Sequence, residues 1–101
     1  MPRTIQDGDT TTQDANEVLV YSFDYDDNLN AGVVLEDEGI ITITPTGGLG
    51  TDNVALEAGS RSVRVRVYGG RKGAIYEVRH TVSTTESPQP TKSKWFMLRI
   101  T

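Results

Sequence analysis

The stretch SVRVRVYGGRKGAIYEVRHTV, residues 62–82, decides the fold. Val63, Val65 and Val67 alternate with Arg64 and Arg66, and successive side chains of a strand point to opposite faces, so the run is a half-buried strand with a charged outer side. Beyond the turn glycines Gly69, Gly70 and Gly73 the alternation resumes. Tyr76, Val78, His80 and Val82 take one face, and Glu77, Arg79 and Thr81 the other. The first set is expected in the core, which makes His80 a packed histidine. No second histidine exists to make it a metal or catalytic pair.

The same texture extends along the chain. EVLVYSFD, AGVVLED, GIITITP, DNVALE, RSVRVRVY, GAIYEVRHTVST and KWFMLRI are short β-prone runs separated by Gly, Pro, Asn and Asp, and none has helical periodicity. About seven such runs in about 100 residues predict an all-β antiparallel β-sandwich. Tyr76, which opens a strand after a glycine turn with an apolar residue two places on, fits the arrangement called a tyrosine corner, its hydroxyl tied back to upstream backbone. Residues 1–15, MPRTIQDGDTTTQDA, offer little apolar beyond Ile5 and read as a flexible N-terminal arm. The sandwich is expected over residues 16–101.

Composition limits function. A chain of 101 residues is one domain by length. It contains no cysteine, so neither a disulfide nor a thiolate metal site is possible. No run of apolar residues is long enough to span a membrane, and the polar N-terminus is not a signal peptide. Charge is uneven. Residues 1–60 carry one Arg against twelve Asp or Glu (−11), and residues 61–101 nine Lys or Arg against two Glu (+7), which sums to the net −4. Two arrangements fit this asymmetry: acidic and basic strands that neutralise one another within a sheet, or unlike faces that meet on adjacent copies of the chain. Nucleic acid is a poor partner, because acids interrupt the basic positions and the total is negative.

Two stretches are candidates for function. In KWFMLRI, if Phe96, Leu98 and Ile100 face inward, Trp95, Met97 and Arg99 face outward and form a candidate protein interface, with Arg64 and Arg66 as a second charged set. The alternative is that a loop such as SPQPTKS, or the N-terminal arm, folds over them. In YSFDYDDNLNAG, residues 21–32, the carboxylates suggest a calcium loop, but with Asp24 first, Leu29 stands where glycine is required and Leu35 where a bidentate Glu is required. No GxSxG, HExxH or P-loop pattern appears, and no partner base accompanies the aspartates. No enzyme activity, cofactor or metal is expected.

From about Glu17 onward the order of motifs resembles the phage fiber-tail adaptor proteins. That family shows an acidic-aromatic pair, a Leu, a Gly, then GG-x-x-G-x-x-Y-x-V and a threonine-rich strand. Here these are Asp24 with Tyr25, Leu29, Gly32, then Gly69, Gly70, Gly73, Tyr76 and Val78, running into Thr81, Thr84 and Thr85. The chain departs from the pattern with Tyr25 in place of the usual Trp, Val33 and Val34 after Gly32, and a final turn through Glu86, Ser87, Pro88, Gln89 and Pro90. The resemblance implies an immunoglobulin-like virion structural protein of the tail or neck. It would join tail or portal-adaptor components to tail fibers, contact copies of itself in a ring, touch neither nucleic acid nor membrane, and be assembled in the bacterial host cytoplasm. A head-decoration protein on the same sandwich and a carbohydrate-binding module remain the alternatives. Under this reading Tyr25 and Leu29 anchor the strand exit, and the aspartates and asparagines shape its turn.

Overall fold

Eight strands build two four-stranded sheets packed face to face in the computed structural model, which describes residues 3–86 and 90–101. In chain order they are β1 (Arg3–Ile5), β2 (Asp9–Gln13), β3 (Val18–Asp24), β4 (Ile40–Thr44), β5 (Leu49–Leu56), β6 (Ser62–Gly69), β7 (Ile75–Ser83) and β8 (Thr91–Ile100). The first sheet runs β1-β3-β6-β5 and the second β2-β8-β7-β4. The central pairings are antiparallel, while β1 joins β3 and β2 joins β8 in parallel. The sandwich is therefore mixed, antiparallel everywhere except where β1 and β2 join its sheets.

The alternation read from sequence sets the faces. Val63, Val65 and Val67 on β6 are fully buried, as are Val78 and His80 on β7 and Phe96, Leu98 and Ile100 on β8; Tyr76 and Val82 are nearly so. Arg64 and Arg66 face outward. Between the sheets Tyr21 and Phe23 of β3 meet Phe96 of β8, with ring centroids 4.9 and 5.9 Å from it, so the largest side chains cross the interface where the area removed from water is greatest.

Two expectations need correction. Described residues 3–13 are not an arm: Ile5 is 4% exposed, and Gln13 is buried with its amide fully used. Gln13 Nε2 donates to the carbonyls of Val67 (2.9 Å) and Glu17 (3.1 Å), and its Oε1 accepts from the Tyr21 hydroxyl (2.9 Å). A side chain on β2 thereby ties the second sheet to β3 and β6 of the first. One buried amide with every partner supplied orders a segment whose composition alone would not. Residues 1 and 2 of the expected arm lie outside the described residues, as do residues 87–89 of the final turn.

The second correction concerns AGVVLED, which is not a strand and contributes only an isolated bridge from Leu35 to Thr84. Its backbone is satisfied elsewhere: Leu35 N–H donates to the Ser60 carbonyl, Val34 N–H to Thr85 Oγ1, and the Val33 carbonyl accepts from Arg61. With one expected strand lost and two gained, the count becomes eight.

Candidate functional site

The aspartate-rich stretch is a clamped turn. Asp24 Oδ1 accepts the Asp26 N–H at 2.9 Å, and a short 3-10 turn follows over residues 26–28. Arg61, on the loop entering β6, reaches into its concave side. Its Nη2 donates to the carbonyls of Asp26 (3.0 Å) and Leu29 (3.1 Å), its Nη1 to those of Val33 (2.6 Å) and Asn30 (3.4 Å), and its Nε pairs with the Asp26 carboxylate. A guanidinium presents five donors in a fixed plane, so one side chain can hold four carbonyls of a turn that no strand pairs. Among the described residues no cluster of three or more His, Asp or Glu converges as a metal site would require.

Beneath the turn lies a buried polar relay. Tyr25 is 1% exposed, and its hydroxyl lies 2.8 Å from His80 Nδ1, while His80 Nε2 lies 2.7 Å from the Glu38 carbonyl. A carbonyl can only accept, so Nε2 carries the hydrogen and Nδ1 accepts from Tyr25. Burial pushes the His80 pKa down, opposed by the bond to the Glu38 carbonyl and by the charge of Asp37, and burial likewise pushes the Tyr25 hydroxyl well up. Gly39 lets the Glu38 carbonyl reach the ring: at φ +73 it lies so close to Thr81 O and His80 Nε2 that a Cβ would collide with both. The relay is a neutral packing device.

At the opposite end of the sandwich the Tyr76 hydroxyl accepts the Arg71 N–H at 3.1 Å, tying β7 to the turn that precedes it. Gly69, Gly70 and Gly73 of that turn all have positive φ, as does Gly32. Gly70 also packs so tightly on Ile100 that a Cβ would come within 2.7 Å of it.

The five candidate interface residues do not form one surface. Arg64 and Arg66 lie on the outer face of the first sheet, and Trp95, Met97 and Arg99 on the outer face of the second. On the first, Arg66 is held in a two-pronged pair by Asp52 of β5 (2.6 and 2.5 Å), which holds the Asp52 carboxyl below its ordinary range. Arg64 has no hydrogen-bonding or ionic partner among the described residues. It borders a groove of about 770 Å³ lined by Val18, Val20, Val54 and Ala55, with Val18 54% exposed. On the second face Arg99 is exposed, but Trp95 and Met97 are half-buried. The turn between β1 and β2 flanks Trp95, whose N–H donates to Asp7 Oδ1 (3.1 Å) and whose carbonyl accepts from Gly8 (3.0 Å). Arg79 lies 5.8 Å above the indole. The segment expected to be a free arm thus partly shields the tryptophan.

Sequence reasoning missed Arg61, Gln13 and the Asp52 partner of Arg66. Their roles depend on residues distant in the chain, and no local pattern marks them.

The described residues form a small β-sandwich whose buried polar side chains are hydrogen-bonded within its own scaffold, with two unlike outer faces. Over residues 13–98 the chain matches the family described as podophage GP4 fiber-tail adaptor protein gp77. The chain belongs to that family, and is a viral structural protein of the phage tail that works in contact with other virion components such as tail fibers. No curated protein matches it.

Proposed function

We propose that the chain is a non-enzymatic linker in the neck and tail region, joining tail or portal-adaptor components to tail fibers. The observation that carries the reading is the separation of two chemically different faces on opposite sides of one rigid sandwich. One is an apolar groove with the unpaired Arg64, the other an indole and thioether bordered by Arg99. A joint needs two surfaces that do not compete, and large half-exposed apolar side chains are the usual anchors of such contacts. Copies of the chain are arranged in a ring around the tail axis; strands of the acidic first part and the basic second part share both sheets, so charge is partly neutralised within the chain, as in the Arg66–Asp52 pair. Assembly takes place in the host cytoplasm, with neither nucleic acid nor membrane as partner.

An immunoglobulin-like description of the sandwich is supported by strand order. With β1 set aside, β3-β6-β5 and β2-β8-β7-β4 carry the connections of such domains, with β2 as the strand that crosses to the second sheet. β1 departs from the pattern by running parallel to β3. The domain proper spans residues 16–101, with residues 3–13 as its peripheral strands.

The test is incorporation into particles. Arg64→Glu lies at an exposed position and Trp95→Ala at a half-buried one, so a thermal melt of each variant first checks its fold, and each should then reduce loading of a different neighbour. Particles with normal fiber content from both variants would overturn the assignment of these faces.

A further inference from the structure

Four strands end the two sheets, and three of them carry a device that discourages pairing with another chain. β1 is only three residues long and bears Arg3, β2 is polar throughout and opens on Asp9, and β5 is broken by a bulge between Asp52 and Ala55, with Asn53 at φ 51. Short length, charge and bulges are the recognised ways of blunting an edge. β4 has none of them. Its sequence IITIT is uncharged, flat in register against β7 and rich in β-branched residues, and Ile40 is 69% exposed. Among the described residues no backbone hydrogen bond reaches the side of β4 away from β7.

We propose that β4 is a pairing edge for β4 of a second copy, the two strands running antiparallel about a two-fold axis at Thr42. The sequence is self-complementary in that register. Thr42 faces Thr42, Ile41 faces Ile43, and Ile40 faces Thr44. Residues directly opposite in an antiparallel pair share a face, so the inward-facing Ile41 and Ile43 extend one core into the next, and the exposed Ile40 gains a neighbour. Charge agrees with the register. β4 carries no charged residue, so the register sets no like charges opposite one another, and the carboxylates of Asp37 and Glu38 lie outside the paired residues. The result is a continuous eight-stranded sheet. If its two-fold axis lies parallel to the tail axis, both copies keep the same polarity along the tail, so the pair can repeat as the unit of a ring. The pairing does not depend on the fiber-joining role.

The experiment measures the mass in solution of the purified chain from micromolar to millimolar concentration. The expected result is a rise from the monomer to twice its mass. Thr42 is exposed, so Thr42→Lys and Thr42→Glu should fold as the parent does, and each should weaken pairing by about tenfold or more because like charges then meet across the axis. An equimolar mixture of the two should recover it, an outcome that loss of folding could not mimic. Because the chain has no cysteine, Thr42→Cys gives a single probe, which should cross-link as a dimer faster than Ile75→Cys at another exposed strand position. A chain monomeric at millimolar concentration, charge variants that pair as well as the parent, or a mixture that fails to recover would each overturn the proposal.

Discussion

Replacing Arg61 separates the clamp from the ion pair it makes. Of the four carbonyls it serves, those of Asp26 and Asn30 belong to exposed residues and can be taken over by water, whereas the bonds to Leu29 (3.1 Å) and Val33 (2.6 Å) are part-buried. Counting only those two, at about 1 to 1.5 kcal/mol net each, Arg61→Ala should cost about 2 to 3 kcal/mol. The pair with the exposed Asp26 carboxylate adds at most a few tenths. In a domain of this size that corresponds to a fall in Tm of roughly 10 to 20 °C. Arg61→Lys keeps the charge but not the planar fork, and should lose half or more of the same amount. Asp26→Ala should cost under about 1 kcal/mol. Thermal melts followed by far-UV circular dichroism give all three values. Asp26→Ala as damaging as Arg61→Ala, or Arg61→Lys equal to the parent, would refute the carbonyl clamp.

Further expectations follow the buried groups. Burial depresses the His80 pKa, so the unfolded chain binds more protons: the contribution of this residue is fully present above the unfolded value of about 6.5 and is lost as pH falls through the folded one. Melts from pH 7.5 to 5 should show this decline, and His80→Gln should flatten it. Tyr76→Phe should cost roughly 1 kcal/mol for the bond to Arg71, against about 2 to 3 kcal/mol for Val65→Ala and little for Arg64→Ala; urea titration of the three tests the face assignment. Gln13→Leu should cost more than about 2 kcal/mol, because it leaves the Val67 carbonyl and the Tyr21 hydroxyl without their partner, and faster hydrogen exchange confined to residues 9–13 would be its signature.

What sequence could show follows from what is periodic. Val63, Val65 and Val67, or Phe96, Leu98 and Ile100, declare a strand and its buried face because the period of two is local. The N-terminal strands were illegible for the opposite reason. DTTTQ has no apolar alternation, and its place depends on Gln13 meeting Tyr21 and Val67, the latter 54 residues away. AGVVLED misled because three β-prone residues in a row do not reveal that Arg61, Ser60 and Thr85 will satisfy their backbone. At the site, the outward direction of Trp95 was legible and its cover by the N-terminal segment stood as the alternative, but the β1–β2 turn that provides that cover was not legible. That cover depends on strands the sequence did not declare.

The proposed role puts this sandwich between tail and fiber, with different neighbours on its two outer faces. The most direct measurement is an electron-microscopy reconstruction of the intact particle in which the chain is placed in density. The chain should sit at the junction of tail and fiber, with the groove around Arg64 and the face bearing Trp95 against different proteins. Density on the head shell, or at the junction with both outer faces open to solvent, would contradict it.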